Sequence, residues 1–289
     1  MKEQLSIRQL RYEFSYPGEI HLHHGVPTIT FRGAFGYALA QVIAREAHIP
    51  EFRSQLDLYR KIFTPDNDGT ENSRNYDLAR PFILRGWYSR PDRRSFILDV
   101  HLFGCAGEYE SFFDKVIEVI SFMGIGSRNQ VCHLEKLLSR PIIPASMELT
   151  KTLKVHYLTP CSRLKSGGEI FYDQIPFYAM FARLADRLLE LDHLYGSGTV
   201  FTEEESFRLK KLSREISWER QSGGCYHTER RSGRTRQTMR LDGFQGEMLY
   251  RGDFTELDAY LRYLPYINLG RFNVFGCGWC EMKYIPGDY

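Results

Sequence analysis

The chain has 289 residues, 43% of them hydrophobic and 14% aromatic, which is enough for two globular domains with cores of their own. The net charge of only +2 excludes recognition of a polyanion by overall charge and leaves local patches to consider. No apolar run of about 18 residues occurs, Met1-Lys2-Glu3-Gln4 lacks an apolar signal core, and six scattered cysteines do not make a secreted disulfide framework. A soluble cytoplasmic protein with no membrane partner is expected.

Leu10, Tyr12, Phe14 and Tyr16 alternate with Arg11, Glu13 and Ser15, which predicts a strand over 5–16. A His-rich turn follows, with His21, His23 and His24 before Gly25 and Pro27. Phe31, Ala34, Phe35, Ala38, Leu39, Val42 and Ile43 then recur at helical spacing, with Thr30 as the expected N-cap and an end before Pro50. The polar side of this helix carries Arg32, Gln41 and Arg45, and His48 falls at or just past its end. Residues 64–80 are polar and turn-rich and are expected to form a mobile loop. Strands are expected over 81–88 and 95–104, a helix over 108–123 closed by Gly124 and Gly126, and a short strand from Val131 to Leu134. The order β-α-β-β-α-β is ferredoxin-like.

Pro141 to Pro144 marks the expected boundary between an N-terminal domain, 1–143, and a C-terminal domain, 144–289. A similar order then returns. Leu153, Val155 and Tyr157 alternate as a strand, with His156 on its other face. Ser162 to Gly168 reads as a basic loop, followed by helices over 173–192 and 203–216, the second opened by a capping box, Thr202 with Glu205. A strand over 241–250, a helix over 255–264 and a last strand from Val274 to Tyr284 complete an α+β chain of two tandem ferredoxin-like domains.

Charge is concentrated in two places. Residues 219–240 hold Arg220, Arg230, Arg231, Arg234, Arg236 and Arg240 against Glu219 and Glu229, and residues 151–168 hold Lys151, Lys154, Arg163 and Lys165 with no acid. Each suits an anionic partner or a solvated face. Near the C-terminus, Asn268-Leu269-Gly270-Arg271-Phe272-Asn273-Val274-Phe275-Gly276-Cys277-Gly278 reads either as a hairpin turn or as a phosphate cradle of exposed N–H groups. The C-x-x-C at Cys277 and Cys280 does not open a helix, and no second C-x-x-C accompanies it, so neither a metal site nor a redox site is assigned.

The glycine-rich stretch resembles the C-terminal loop of the RAMP superfamily of CRISPR proteins, and more closely that of the CRISPR-associated endoribonucleases (the Cas six family) that process precursor CRISPR RNA. That family's pattern is G-x-G, five residues, G-x-G. Gly270, Gly276 and Gly278 match its last three glycines and Asn268 stands at the first. The resemblance extends to Phe31 through Leu39 at the first helix, to Arg80-Pro81-Phe82-Ile83-Leu84, to Ser232-Gly233-Arg234-Thr235-Arg236-Gln237, and to Leu241 through Glu247.

The resemblance implies cleavage of repeat RNA without metal or cofactor, by attack of a 2′-hydroxyl, leaving a 2′,3′-cyclic phosphate and a 5′-hydroxyl. It puts the catalytic histidine at or just after the first helix, which here is His48. His24 and His23 follow as candidates, with Tyr37 placed to orient the sugar. RNA contacts are expected from Arg32, from His156, from Arg163, Lys165, Ser166 and Gly167, from Arg234 and Arg236, and from Gly270, Arg271, Asn273, Gly276 and Gly278. A non-catalytic RAMP subunit that binds crRNA within a CRISPR effector complex is the alternative, and a homodimer is compatible with either. An ordinary metabolic enzyme would need a small-molecule motif, which the sequence lacks.

Overall fold

In the computed structural model the described residues are 4–46, 79–126, 130–162, 164–166, 168–231 and 238–286. The expected loop over 64–80 therefore has only its last two residues, Ala79 and Arg80, among them. The chain divides into one compact unit of Ser6–Pro141 and another of Met1–Leu5 with Ile142–Tyr289. No helix among the described residues is long and apolar enough to cross a membrane.

The first unit contains β1 (Ile7–Ser15), α1 (Thr28–Glu46), β2 (Phe82–Tyr88), β3 (Ser95–Phe103), a 3₁₀ turn (Gly104–Tyr109), α2 (Glu110–Met123) and β4 (His133–Ile142). Its sheet runs in the order β2-β3-β1-β4, the ferredoxin-like arrangement. β3 lies between β1 and β2 and is buried at every residue. It pairs antiparallel with β1 from Ile7 opposite Phe103 to Ser15 opposite Ser95.

The helix signal resolves into a buried face. Ile29, Phe31, Phe35, Ala38, Leu39 and Val42 of α1 are all buried. The Phe31 ring stacks on Phe96 with centroids 4.5 Å apart and meets the edge of Phe14 at 4.9 Å. Phe35 adds Phe82 and Phe113, at 5.7 and 5.5 Å. The helix opens two residues before the expected Thr30 cap, because the Val26 and Pro27 carbonyls already accept from the N–H groups of Ile29 and Thr30. Thr30 instead accepts the His23 N–H on its hydroxyl, at 3.1 Å.

The second unit contains β5 (Thr152–Ser162), β6 (Leu164–Ser166), β7 (Glu169–Phe171), α3 (Phe177–Tyr195), α4 (Glu203–Leu212), β8 (Ser217–Tyr226), β9 (Glu229–Arg231), β10 (Thr238–Arg240), β11 (Gly243–Arg251), α5 (Asp258–Leu261) and β12 (Cys280–Tyr284). Its main sheet runs β12-β5-β11-β8, so the ferredoxin-like order recurs without repetition of sequence. Leu153, Val155 and Tyr157 of β5 are buried, as are Met248 and Tyr250 of β11. The Thr202 hydroxyl accepts the Glu205 N–H at 3.3 Å, as the capping signal predicts.

Three expectations need correction. β4 runs from His133 to Ile142 rather than stopping at Leu134. It is an edge strand exposed along most of its length, so it carries no apolar alternation to read. The Arg-rich stretch begins as strand β8, whose sequence SWERQSGGCY is polar for the same reason, since it borders only β11. The last strand starts at Cys280 rather than Val274, because Asn273–Phe275 form a 3₁₀ turn.

Phe31 fixes α1 to the first sheet. Phe31→Ala should lower unfolding free energy by about 3–5 kcal/mol, read as a shift in the urea midpoint at unchanged m-value.

Candidate functional site

The glycine-rich stretch is a tight knot bound to the end of β5. Gly270, Gly276 and Gly278 have φ of +74°, +91° and +77°. A Cβ on Gly278 would lie 1.8 Å from the Leu269 carbonyl oxygen, and one on Gly270 would lie 2.5 Å from that of Ser162. Only glycine satisfies both the left-handed backbone and this backbone-to-backbone approach. Phe272 shares the left-handed region at φ +62° despite its side chain, a cost of about 1–2 kcal/mol that the surrounding bonds must offset.

Those bonds use most of the loop's donors. Leu269 N–H donates to the Gly278 carbonyl, Arg271 N–H to Ser162, Gly278 N–H to Pro160, and Phe275 and Cys277 N–H to Phe272. The Thr159 hydroxyl donates to the Gly276 carbonyl at 2.7 Å and accepts the Trp279 N–H at 2.9 Å. Asn268 Nδ2 donates to the Asn273 carbonyl and Asn273 Nδ2 to that of Gly270. The glycines thus build a rigid projection more than a cradle of open N–H groups, and Asn273 turns its amide inward. The Arg271 side chain is half-exposed.

Three of the sequence's candidate elements converge at this end of β5. Ser162 pairs with Arg271 as an isolated bridge, and its hydroxyl bonds the Leu241 carbonyl at the entry to β11. The expected basic loop continues directly from Ser162 as the β6–β7 hairpin, in which Lys165 pairs with Ile170 and Ser166 with Glu169. From the Arg-rich stretch, the Arg230 guanidinium lies 4.6 Å over the Phe275 ring. Burial there lowers the Arg230 pKa from its ordinary value. Arg230 belongs to the recognised basic run, but only the fold reveals its placement against the glycine-rich loop.

The other candidates stand apart. His156 is exposed on β5, with Glu247 and Glu281 as its register partners on the two neighbouring strands. It lies roughly 20 Å along the strand from Ser162. In the first unit His24 is exposed and His23 half-buried in the turn before α1. Tyr37 is 61% exposed on α1 and Arg32 is half-buried there. Five helical residues separate these two, placing them roughly 140° apart around the axis. His48, Arg163, Gly167, Arg234 and Arg236 lie outside the described residues, as do the side chains of Lys165 and Ser166.

Cys161, Cys277 and Cys280 are fully buried beneath the loop. Burial pushes the Cys277 thiol up to about 12 and raises Cys161 well above its ordinary value. These are inert core thiols.

The chain thus consists of two ferredoxin-like units, the second closed by a glycine-rich loop against its first strand. Residues 5–151 match the AF_1859_N family, described as an N-terminal domain, and residues 155–280 match the family described as CRISPR-associated endoribonuclease Cas6. The chain therefore belongs to the AF_1859_N family, whose model spans half of it, and its second half is similar to the CRISPR-associated endoribonuclease Cas6 family.

Among solved structures, one described for a Cas6-related gene from Pyrococcus furiosus is similar at 10% identity and TM-score 0.46, covering 97% of this chain and 99% of that one. A RAMP protein described as binding different RNA substrates is similar at 13% identity and TM-score 0.41, covering 97% and 100%. A structure of Cas6b follows at 12% identity and TM-score 0.34, covering 96% and 100%. No curated protein matches the sequence.

Gly278→Ala must both clash and strain, so it should cost more than about 3 kcal/mol in urea unfolding. Gly168→Ala, at φ +88° with open space around the Cβ position, should cost only about 1–2 kcal/mol. Native labelling with a thiol-reactive disulfide at pH 8 should modify Cys105, Cys132 and Cys225 well before Cys161, Cys277 and Cys280, which should react only on unfolding.

Proposed function

We propose that the chain is a metal-independent endoribonuclease that cleaves CRISPR precursor RNA within its repeats, working in the cytoplasm. One observation carries the reading: in the half that matches the Cas6 family, the glycine-rich loop, the β6–β7 hairpin and the Arg-rich β9–β10 arm meet at one end of β5. Such a convergence holds an RNA backbone through phosphates and 2′-hydroxyls. Arg271 and Arg230 supply charge there, and Lys165, Arg163, Arg234 and Arg236 follow from the same segments.

In the proposed reaction the 2′-oxygen attacks the adjacent phosphorus and the bond from phosphorus to the 5′-oxygen breaks. One group removes the 2′-proton and another protonates the leaving 5′-oxygen. Histidine suits both steps near neutral pH. His48 is the first candidate for these proton steps, His24 and His23 are the alternatives, and Tyr37 orients the sugar. The bound backbone holds the attacking and leaving oxygens in line.

The test is cleavage of cognate repeat RNA in EDTA, with a 2′-deoxy substitution at the cut site as control. Wild type should cut and leave a cyclic phosphate. His48→Ala should lower the rate at least about 100-fold, the typical contribution of a general acid or base. Arg230→Ala should weaken binding and reduce the slope of log affinity against log salt by about one. Cutting that survives His48→Ala moves the role to His24, His23 or Tyr37. Tight binding without cutting identifies a crRNA-binding subunit, and a requirement for metal refutes the proposed chemistry.

A further inference from the structure

A cavity of about 510 Å³ opens at the root of the β9–β10 arm, lined by Tyr172, Asp173, Cys225, His227, Arg240 and Asp242. That volume lies in the range of small-ligand pockets, roughly 300–1,000 Å³. Its walls come from three segments. Tyr172 and Asp173 follow β7, Cys225 and His227 end β8, and Arg240 and Asp242 lead into β11. The first wall is tied to the second by Arg220, whose Nη1 donates to the Asp173 carbonyl at 3.1 Å.

The two carboxylates are in different states. Asp242 is already engaged: Arg240 Nε lies 2.9 Å from it, His227 Nδ1 3.6 Å, and the Thr228 N–H donates to it at 3.2 Å. It thereby holds Arg240 with its terminal nitrogens presented to solvent, at 70% side-chain exposure. The Asp173 carboxylate has no hydrogen-bond or ion-pair partner among the described residues. The pocket therefore presents an open carboxylate acceptor, an oriented guanidinium donor and the half-buried ring of Tyr172.

We infer that this pocket takes one unpaired guanine, stacked on Tyr172, with its N1–H and N2–H₂ donors on Asp173 and its O6 and N7 acceptors toward Arg240. Guanine is the base that carries a pair of adjacent donors and, on another edge, a pair of adjacent acceptors. Adenine would turn an N1 acceptor toward the Asp173 carboxylate, and uracil offers a single ring donor. Unpaired bases in RNA are commonly read by this combination of aromatic stacking and Watson–Crick-edge bonds. The inference rests on the RNA-binding reading above and adds a base preference to it.

Two measurements separate the two ideas. In the first, alkylation of Cys225 in the full chain is followed by peptide mass spectrometry at alkaline pH, with guanosine or adenosine monophosphate present. The guanine nucleotide should protect Cys225 and the adenine nucleotide should not, and Asp173→Asn should abolish the difference. In the second, binding of short oligouridines with and without one guanosine is compared by fluorescence anisotropy. Guanosine should tighten binding about tenfold. Asp173→Asn should transfer that gain to xanthosine, whose C2 carbonyl accepts from an amide N–H. Asp173 is exposed, so the variant folds, and circular dichroism checks that it does. Equal protection by both nucleotides, or a guanosine preference that survives Asp173→Asn, overturns the inference. Protection by the guanine nucleotide with no oligonucleotide binding leaves the pocket standing and removes the RNA reading instead.

Discussion

The second unit depends on one close approach of backbone to backbone. The Gly278 Cα faces the Leu269 carbonyl with no room for a Cβ. Leu269 N–H and the Gly278 carbonyl bond at 2.9 Å, and Gly278 N–H reaches Pro160 at 2.9 Å. This closes the loop on itself and fastens it to β5 at the same point. The position of Arg271 follows from it, through the bond to Ser162. So does the position of Phe275, the ring on which Arg230 rests. An arginine held over an aromatic ring keeps its charge in place at little further entropic cost, and partial burial strengthens its attraction to an anion.

The two units reach the same strand order by different means. The first is organised by aromatic packing, with Phe14, Phe31 and Phe96 in one set of touching rings and Phe35, Phe82 and Phe113 in another. The second buries a polar pair, Tyr157 and Tyr250, whose hydroxyls lie 3.2 Å apart, and the Tyr250 hydroxyl also donates to the Ile175 carbonyl. Buried hydroxyls need such partners. The pair ties β5 to β11 and to the entry of α3.

Asp242 plays a similar organising part at the entry to β11. It sits where the β9–β10 arm rejoins the sheet and gathers Arg240, His227 and the Thr228 N–H. A carboxylate so engaged orients the Arg240 guanidinium. The neighbouring Asp173 carboxylate lacks such partners among the described residues. Two aspartates of identical chemistry acquire different roles from the hydrogen bonds around them.

The sequence by itself determined the β-α-β-β-α-β order of the first unit, the buried face of α1, the Thr202 cap and the site of the glycine-rich loop. These signals are local: apolar period, capping chemistry and glycine spacing act within a few residues. It did not reveal β4 or β8 at their full lengths, because edge strands exposed to water carry no alternation. It also could not show that the loop's donors are consumed internally, or that Arg230 rather than its neighbours meets Phe275. Those outcomes depend on contacts between segments tens of residues apart. The open state of Asp173 and the engaged state of Asp242 belong to the same class. A side chain's partners are set by what the fold brings beside it, and no pattern of neighbouring residues encodes that.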